Sequence, residues 1–131
     1  MQTFLPYPSF IESAQCLDYK RLGKQRVEVL QLIRGGWPNH PASKMWHGHF
    51  YQLGKYGEAI CLEWISYGYK DTCLDKIEAE QLKFSDTGLP KWIGNEAFHL
   101  AHKSNLIRKN REFYGPMFPG VPDNLPYVWP V

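Results

Sequence analysis

No apolar run in this chain approaches the roughly 20 residues that a helix needs to cross a bilayer. The opening MQTFLPYPSF also lacks the basic start and apolar stretch of a secretory signal, so we expect a soluble, cytoplasmic protein. Cysteine is scarce: Cys16, Cys61 and Cys73 are odd in number and show no CxxC spacing, which argues against a disulfide framework and against a cysteine-based zinc site. Reduced, mostly buried thiols are the simplest account. HExxH, a GxSxG elbow and a glycine-rich phosphate loop are all missing, so metalloprotease, serine acyl-transfer and nucleotide-hydrolysis chemistry find no support. A strong excess of one charge is missing too. Lys plus Arg is 15 against 13 Asp plus Glu, so any polyanion site has to be a local patch rather than a whole-protein field.

Strand-like alternation of useful length is also absent, and what stands in its place is a succession of helical patterns ended by Gly and Pro. With 131 residues we expect one compact all-α domain spanning residues 1–131. Ser9 is the expected cap of a short turn through Ala14, and a helix over Leu17 to Arg34 stops at Gly35 and Gly36. Two prolines in WPNHP, residues 37–41, dictate a rigid connection. A long pattern from Ala42 to about Tyr67 offers Met45, Trp46, Leu53, Ile60, Leu62 and Trp64 to the core, with Gly54 and Gly57 available for a kink or a close approach. Thr72 is the expected cap of a helix to about Phe84, and Asn95 of one to about Asn110. Beyond Asn110 the chain is too rich in proline for helix and too aromatic for disorder, so it should wrap the bundle in extended form.

The helix LDYKRLGKQRVEVLQLI, residues 17–33, gathers its charge on one side. At about 100° per residue, Lys20, Arg21, Lys24, Glu28 and Gln31 fall within an arc of roughly 100°, opposite Leu22, Val29, Leu30, Leu32 and Ile33. One carboxylate among three cations can serve an anionic ligand and supply proton chemistry. The plainer alternative is a solvated helix face with a Lys24 to Glu28 pair. Asn39 and His40 sit on the constrained WPNHP loop, either ready for a ligand or satisfying local backbone. On the helix FHLAHKSNLIRKN, His99, His102, Lys103 and Arg108 or Lys109 could share a phosphate, a hydrogen-bond network or, with least support, a metal. Tyr67, Tyr69, Lys70 and Asp71 form an aromatic and basic corner, able to stack a base or simply to end a helix.

Glu28 within KQRVEVLQ, then Asn39 to Pro41 as NHP, then Tyr67 to Tyr69 as YGY follow one another in an order that resembles the pyrimidine-dimer DNA glycosylase family, the phage endonuclease V type, over about the first 80 residues. The whole chain is similar to an uncharacterised phage and bacterial branch of that family, sharing RLGKQRVE, HPA, MW, GYKDT, HKSNL and YVWP. The resemblance implies base excision in which the N-terminal amine attacks the deoxyribose anomeric carbon, an imine forms as the base leaves, and a helix glutamate assists. Carried over, Glu28 is that glutamate and Met1 bears the amine. α-Amines as a class titrate near 8, so about a tenth is neutral and nucleophilic at pH 7. Lys24, flanked by Arg21 and Arg26, is the second candidate amine. Lys20, Arg21, Arg26, Gln31, Asn39, His40, Lys70, His99, His102, Lys103 and Arg108 are the expected DNA contacts.

Three departures accompany the resemblance. Gln2 should block removal of Met1, where the family exposes a small residue; Val27 and Gln31 stand where the family carries arginines; and HKSNLIRKN and PYVWP have no counterpart in the characterised enzymes. The expectation is therefore a monomeric DNA glycosylase acting on a damaged or modified pyrimidine in double-stranded DNA, with AP-lyase activity, no metal and no other cofactor, in a bacterial or phage-infected cell. A non-catalytic DNA- or nucleotide-binding module of the same fold, or a nucleotide base-modification enzyme centred on His99 and His102, are the alternatives.

Overall fold

The computed structural model describes residues 1–131 and contains seven helices and no strand. In chain order these are α1 (Phe10–Cys16), α2 (Tyr19–Ile33), α3 (Pro41–Lys44), α4 (Phe50–Ser66), α5 (Leu74–Gln81), α6 (Glu96–Lys109) and α7 (Arg111–Tyr114). No helix is long and apolar enough to cross a membrane, and all three cysteines are free and buried. The caps follow the local rule that a short polar side chain satisfies an orphan N–H. Ser9 accepts from Glu12 N at 3.2 Å, and Asn95 from Phe98 N at 3.1 Å.

α4 is the hub, packing against α1, α2 and α5. Its glycines permit close approach rather than a kink. A Cβ on Gly57 would stand 2.6 Å from Val29 Cγ1 of α2, and one on Gly54 2.7 Å from the Gln81 side chain of α5. Trp46, Tyr56, Phe98 and Tyr114 fill the centre.

Three expectations need correcting. The Ala42 to Tyr67 pattern is broken into α3 and α4 around Gly48, whose φ of +80° lies outside helical space. Leu62 points outward at 51% exposure instead of joining the core. Thr72 caps nothing: Asp71 Oδ2 accepts from Leu74 N at 2.7 Å and so starts α5. Burial would raise the Asp71 carboxyl, but Arg26 Nη1 at 2.6 Å and the N–H groups of α5 outweigh it and hold it below the usual range.

Residues 2–6 are buried under α6 although they form no regular element. Their backbone groups find side chains instead of a ladder. His102 Nδ1 accepts from Leu5 N at 2.9 Å, and His99 Nδ1 lies 2.7 Å from Leu5 O while its Nε2 accepts from Gly94 N at 2.9 Å. These partners define one neutral tautomer for each ring: the proton sits on Nδ1 in His99 and on Nε2 in His102. After α7 the chain does run extended. Arg108 holds it through Asp123 O at 2.7 Å and Leu125 O at 2.9 Å, and Ser104 Oγ accepts from Leu125 N at 3.0 Å.

Burial lowers His102 from 6.5 to about 3, and burial followed by the charge of Lys103 lowers His99 in spite of its bond to Leu5. Both rings therefore stabilise the fold fully above pH 6.5, and that contribution is lost as pH falls, because the unfolded chain takes up protons that the native one refuses. Denaturant titrations should show stability falling below pH 6.5, by up to about 1.4 kcal/mol per pH unit from His102 down to about pH 3, with His99 adding in the same direction. A second test concerns the α2 and α4 contact. Gly57→Ala would favour an exposed helix, yet here it should cost about 1–3 kcal/mol and lower Tm, because the new methyl displaces Val29.

Candidate active site

α2 supplies the site with one turn after another of the same face. Lys20, Lys24 and Glu28 stand at i, i+4 and i+8, and Gln31 follows at i+11. Two clefts open along this face, of about 300 and 400 Å³, and both are lined by Met1, Lys24 and Glu28. The first also carries Lys20, Arg21, Lys109 and Tyr127; the second carries Val27, Gln31, Trp37 and His40.

Glu28 is only 7% exposed, so it is no solvated helix-face carboxylate. Met1 lines both clefts beside it, Gln2 O shares the Gln25 amide with it, and the cost of removing its charge from water is met by directed partners. Gln25 Nε2 donates to Glu28 Oε2 at 3.0 Å, and Lys24 Nζ faces Oε1 at 3.6 Å. Gln25 does more than this. Its other Nε2 hydrogen reaches Gln2 O at 2.6 Å, while Oε1 accepts from Phe4 N at 3.0 Å and faces the Tyr56 hydroxyl at 2.7 Å. Trp46 Nε1 adds a bond to Thr3 Oγ1 at 3.1 Å. The N-terminal segment is thus fixed against α2 so that the chain start at Met1 opens into both clefts.

Of the residues expected to meet DNA, the structure gathers Lys20, Arg21, Gln31 and His40 with the catalytic candidates Met1, Lys24 and Glu28. Arg21 Nη1 is also shared with Asp18 at 3.1 Å. His40 Nδ1 accepts from Ala42 N at 3.0 Å, which starts α3 and leaves Nε2 directed elsewhere. Asn39 is exposed on the adjoining loop. The others go elsewhere. Arg26 is paired with Asp71 and lies 4.3 Å over the Trp64 ring. Arg108 is used up on the tail, and Lys103 covers Tyr7 at 4.8 Å beside a separate cavity. Lys70 is exposed in the tyrosine corner, where Trp64 Nε1 donates to its carbonyl at 2.8 Å. His102 is fully buried and His99 nearly so, away from the α2 clefts, and both rings are engaged in holding Leu5. No three His, Cys, Asp or Glu side chains stand close enough to share a metal ion.

Four contributors were not assigned to this site by sequence reasoning, although Gln2 was noted beside Met1 and Lys109 among the basic residues of the α6 helix. Gln25 reads as one more polar residue of α2, and Gln2 is buried at 4% exposure with no acceptor for its Nε2. Lys109 and Tyr127 come from the end of α6 and from the tail. Burial, then the neighbouring Arg21 and Lys24, lowers Lys109, and burial lifts the Tyr127 phenol to about 12, so it remains a neutral hydrogen-bonding wall at physiological pH. Their sequence signals are the basic end of the FHLAHKSNLIRKN helix and the aromatic, proline-bearing tail, which has to cover something.

Compared with known families, the chain matches the family described as pyrimidine dimer DNA glycosylase over residues 1–77. No curated protein and no solved structure matches the chain. The matched span contains α1 to α4, with Met1, Lys24 and Glu28, whereas Lys109 and Tyr127 fall outside it.

Replacing the Gln25 clamp should loosen this arrangement measurably. Gln25→Leu leaves Phe4 N and Gln2 O without their partner. The expected cost is about 2–4 kcal/mol, with faster hydrogen exchange at the Phe4 amide than elsewhere in the core.

Proposed function

The chain belongs to the pyrimidine dimer DNA glycosylase family, and we propose that it excises a damaged or modified pyrimidine from duplex DNA as a monomer, with AP-lyase activity arising from an amine nucleophile. The observation that carries this reading is the junction of Met1 and Glu28 at the rim of two adjoining clefts, the first of them ringed by Lys20, Arg21, Lys24 and Lys109. Four cations on one rim fit phosphates that flank a target nucleotide, in a chain whose net charge is only +2.

In this mechanism the neutral amine of Met1 gives its electron pair to C1′ of the deoxyribose. The C1′–N bond breaks, its pair leaves with the base, and the base takes up a proton. Loss of an amine proton and opening of the C1′–O4′ bond, with O4′ gaining a proton, yield an imine between the chain and the sugar. Glu28, held at fixed orientation by Gln25, takes and returns these protons beside the sugar. Abstraction of the C2′ proton from the imine then expels the 3′ phosphate, which is strand cleavage, and water releases the enzyme. Lys24, facing Glu28 at 3.6 Å, is the alternative amine. The phosphates are held by Lys20, Arg21 and Lys109, and His40 and Asn39 approach the strand from the loop.

Borohydride reduction in the presence of a duplex with an abasic site should trap a covalent adduct, and mass mapping should place it at Met1; an adduct at Lys24 would move the nucleophile to the helix. Glu28→Gln should lower turnover by about 10²–10⁴-fold while DNA affinity stays within a few-fold. Normal DNA binding without any adduct would remove the imine route and favour a water-using glycosylase or a pure binder.

A further inference from the structure

The cleft of about 400 Å³ differs in character from its neighbour. Cations dominate the first, whereas the second pairs two apolar walls, Val27 and Trp37, with the amide of Gln31 and the ring of His40. Val27 is 44% exposed and Trp37 57% exposed, which is an unusual display of apolar surface around a buried carboxylate.

Trp37 is the chain's outlier. It is the only non-glycine residue with positive φ, at +54°, a conformation that crowds any side chain and a bulky one most. The turn holds it there: Gly36 N donates to Gln31 O at 2.8 Å, and His40 N donates to Trp37 O at 3.0 Å. Trp46, Trp64, Trp92 and Trp129 all pack against other aromatic rings, and the first three hand their indole N–H to a protein oxygen. Trp37 makes neither kind of contact. No ring contact and no indole hydrogen bond within the protein accounts for this exposed, positive-φ indole at the mouth of the second cleft.

We propose that this second cleft receives one extruded nucleobase, stacked on Trp37, with the Gln31 amide reading its hydrogen-bonding edge while its sugar stays at the Met1 and Glu28 rim. Stacking on an indole face accepts any base, and it offsets part of the cost of unstacking the nucleotide. A primary amide offers both a donor and an acceptor, which matches the mixed edge of a pyrimidine. Continuity with the first cleft through Met1, Lys24 and Glu28 places base and sugar in adjoining compartments. The inference rests on the glycosylase reading above.

The experiment compares two duplexes identical except at one position, one with a tetrahydrofuran abasic site and one with the fluorescent pyrimidine pyrrolocytosine mispaired with adenine. Wild-type protein should bind both and change the pyrrolocytosine emission. Trp37→Ala should lose about tenfold in affinity for the base-bearing duplex, equivalent to ~1.4 kcal/mol, and leave the abasic duplex and its borohydride adduct unchanged. Trp37→Phe should retain most of the binding. Trp37→Gly should show the same selective loss with a raised Tm, because glycine relieves the positive φ; a structural role for the indole predicts the reverse shift. Equal losses on both duplexes, or no loss on either, would overturn the base pocket while leaving the glycosylase reading standing. Failure of the wild-type protein to bind either duplex would overturn both.

Discussion

The side-chain amide of Gln25 engages at both ends, joining three parts of the molecule that share no sequence neighbourhood: the first residues of the chain, the carboxylate of Glu28 and the core hydroxyl of Tyr56. Both its hydrogens go to acceptors and its oxygen receives Phe4 N, so the amide can sit only one way round. The position of Met1 follows from that orientation, since Gln2 and Phe4 are the bonded residues. Glu28 follows too, because a carboxylate at 7% exposure remains tenable only where N–H groups and a cation face it. A substitution at Gln25 therefore touches the amine and the carboxylate together.

A second set of constraints comes from the far end of the chain. α6 turns His99 and His102 inward to hold Leu5, and it turns Ser104, Asn105 and Arg108 toward the tail. The tail then passes the site. Tyr127 packs edge-on against His102 with centroids 5.5 Å apart and walls the first cleft, and Trp129 meets His40 at 5.9 Å. Residues beyond the family-matched segment thus complete a site whose Glu28 and Met1 lie within it. The two sets of anchors are separate: Gln2, Phe4 and Glu28 are held through Gln25, and the walls of the first cleft beyond the matched span are held through α6.

The cations illustrate how charge is apportioned. Arg26 and Arg108 each make several directed bonds or a ring contact inside the protein, as a planar guanidinium favours. Lys20, Lys24 and Lys109 remain around the clefts, where mobile ammonium groups suit phosphates that arrive in more than one pose. Arg21 stands between these uses, bonded to Asp18 and lining the first cleft.

Much of this was legible in the sequence. Local residue type and periodicity determined the all-α architecture, the caps at Ser9 and Asn95, the stop of α2 at Gly35 and Gly36, and the alignment of Lys20, Lys24, Glu28 and Gln31 on one helix face, because each depends only on neighbours within a single element. The charged face of α2 and the NHP loop were likewise visible as neighbours in sequence. Only the tertiary structure decided which charges look out and which look in. Arg26 meets Asp71 across 45 positions, His102 meets Leu5 across 97, and Gln25 meets Phe4 across 21. Helical spacing sets the angle of a side chain around its own axis, but solvent, ligand or protein on the other side is set by whatever segment packs over it. For Glu28 the N-terminal segment, tied to the same Gln25 amide, is part of that cover, and the difference between a solvated surface carboxylate and a buried one lies in that packing.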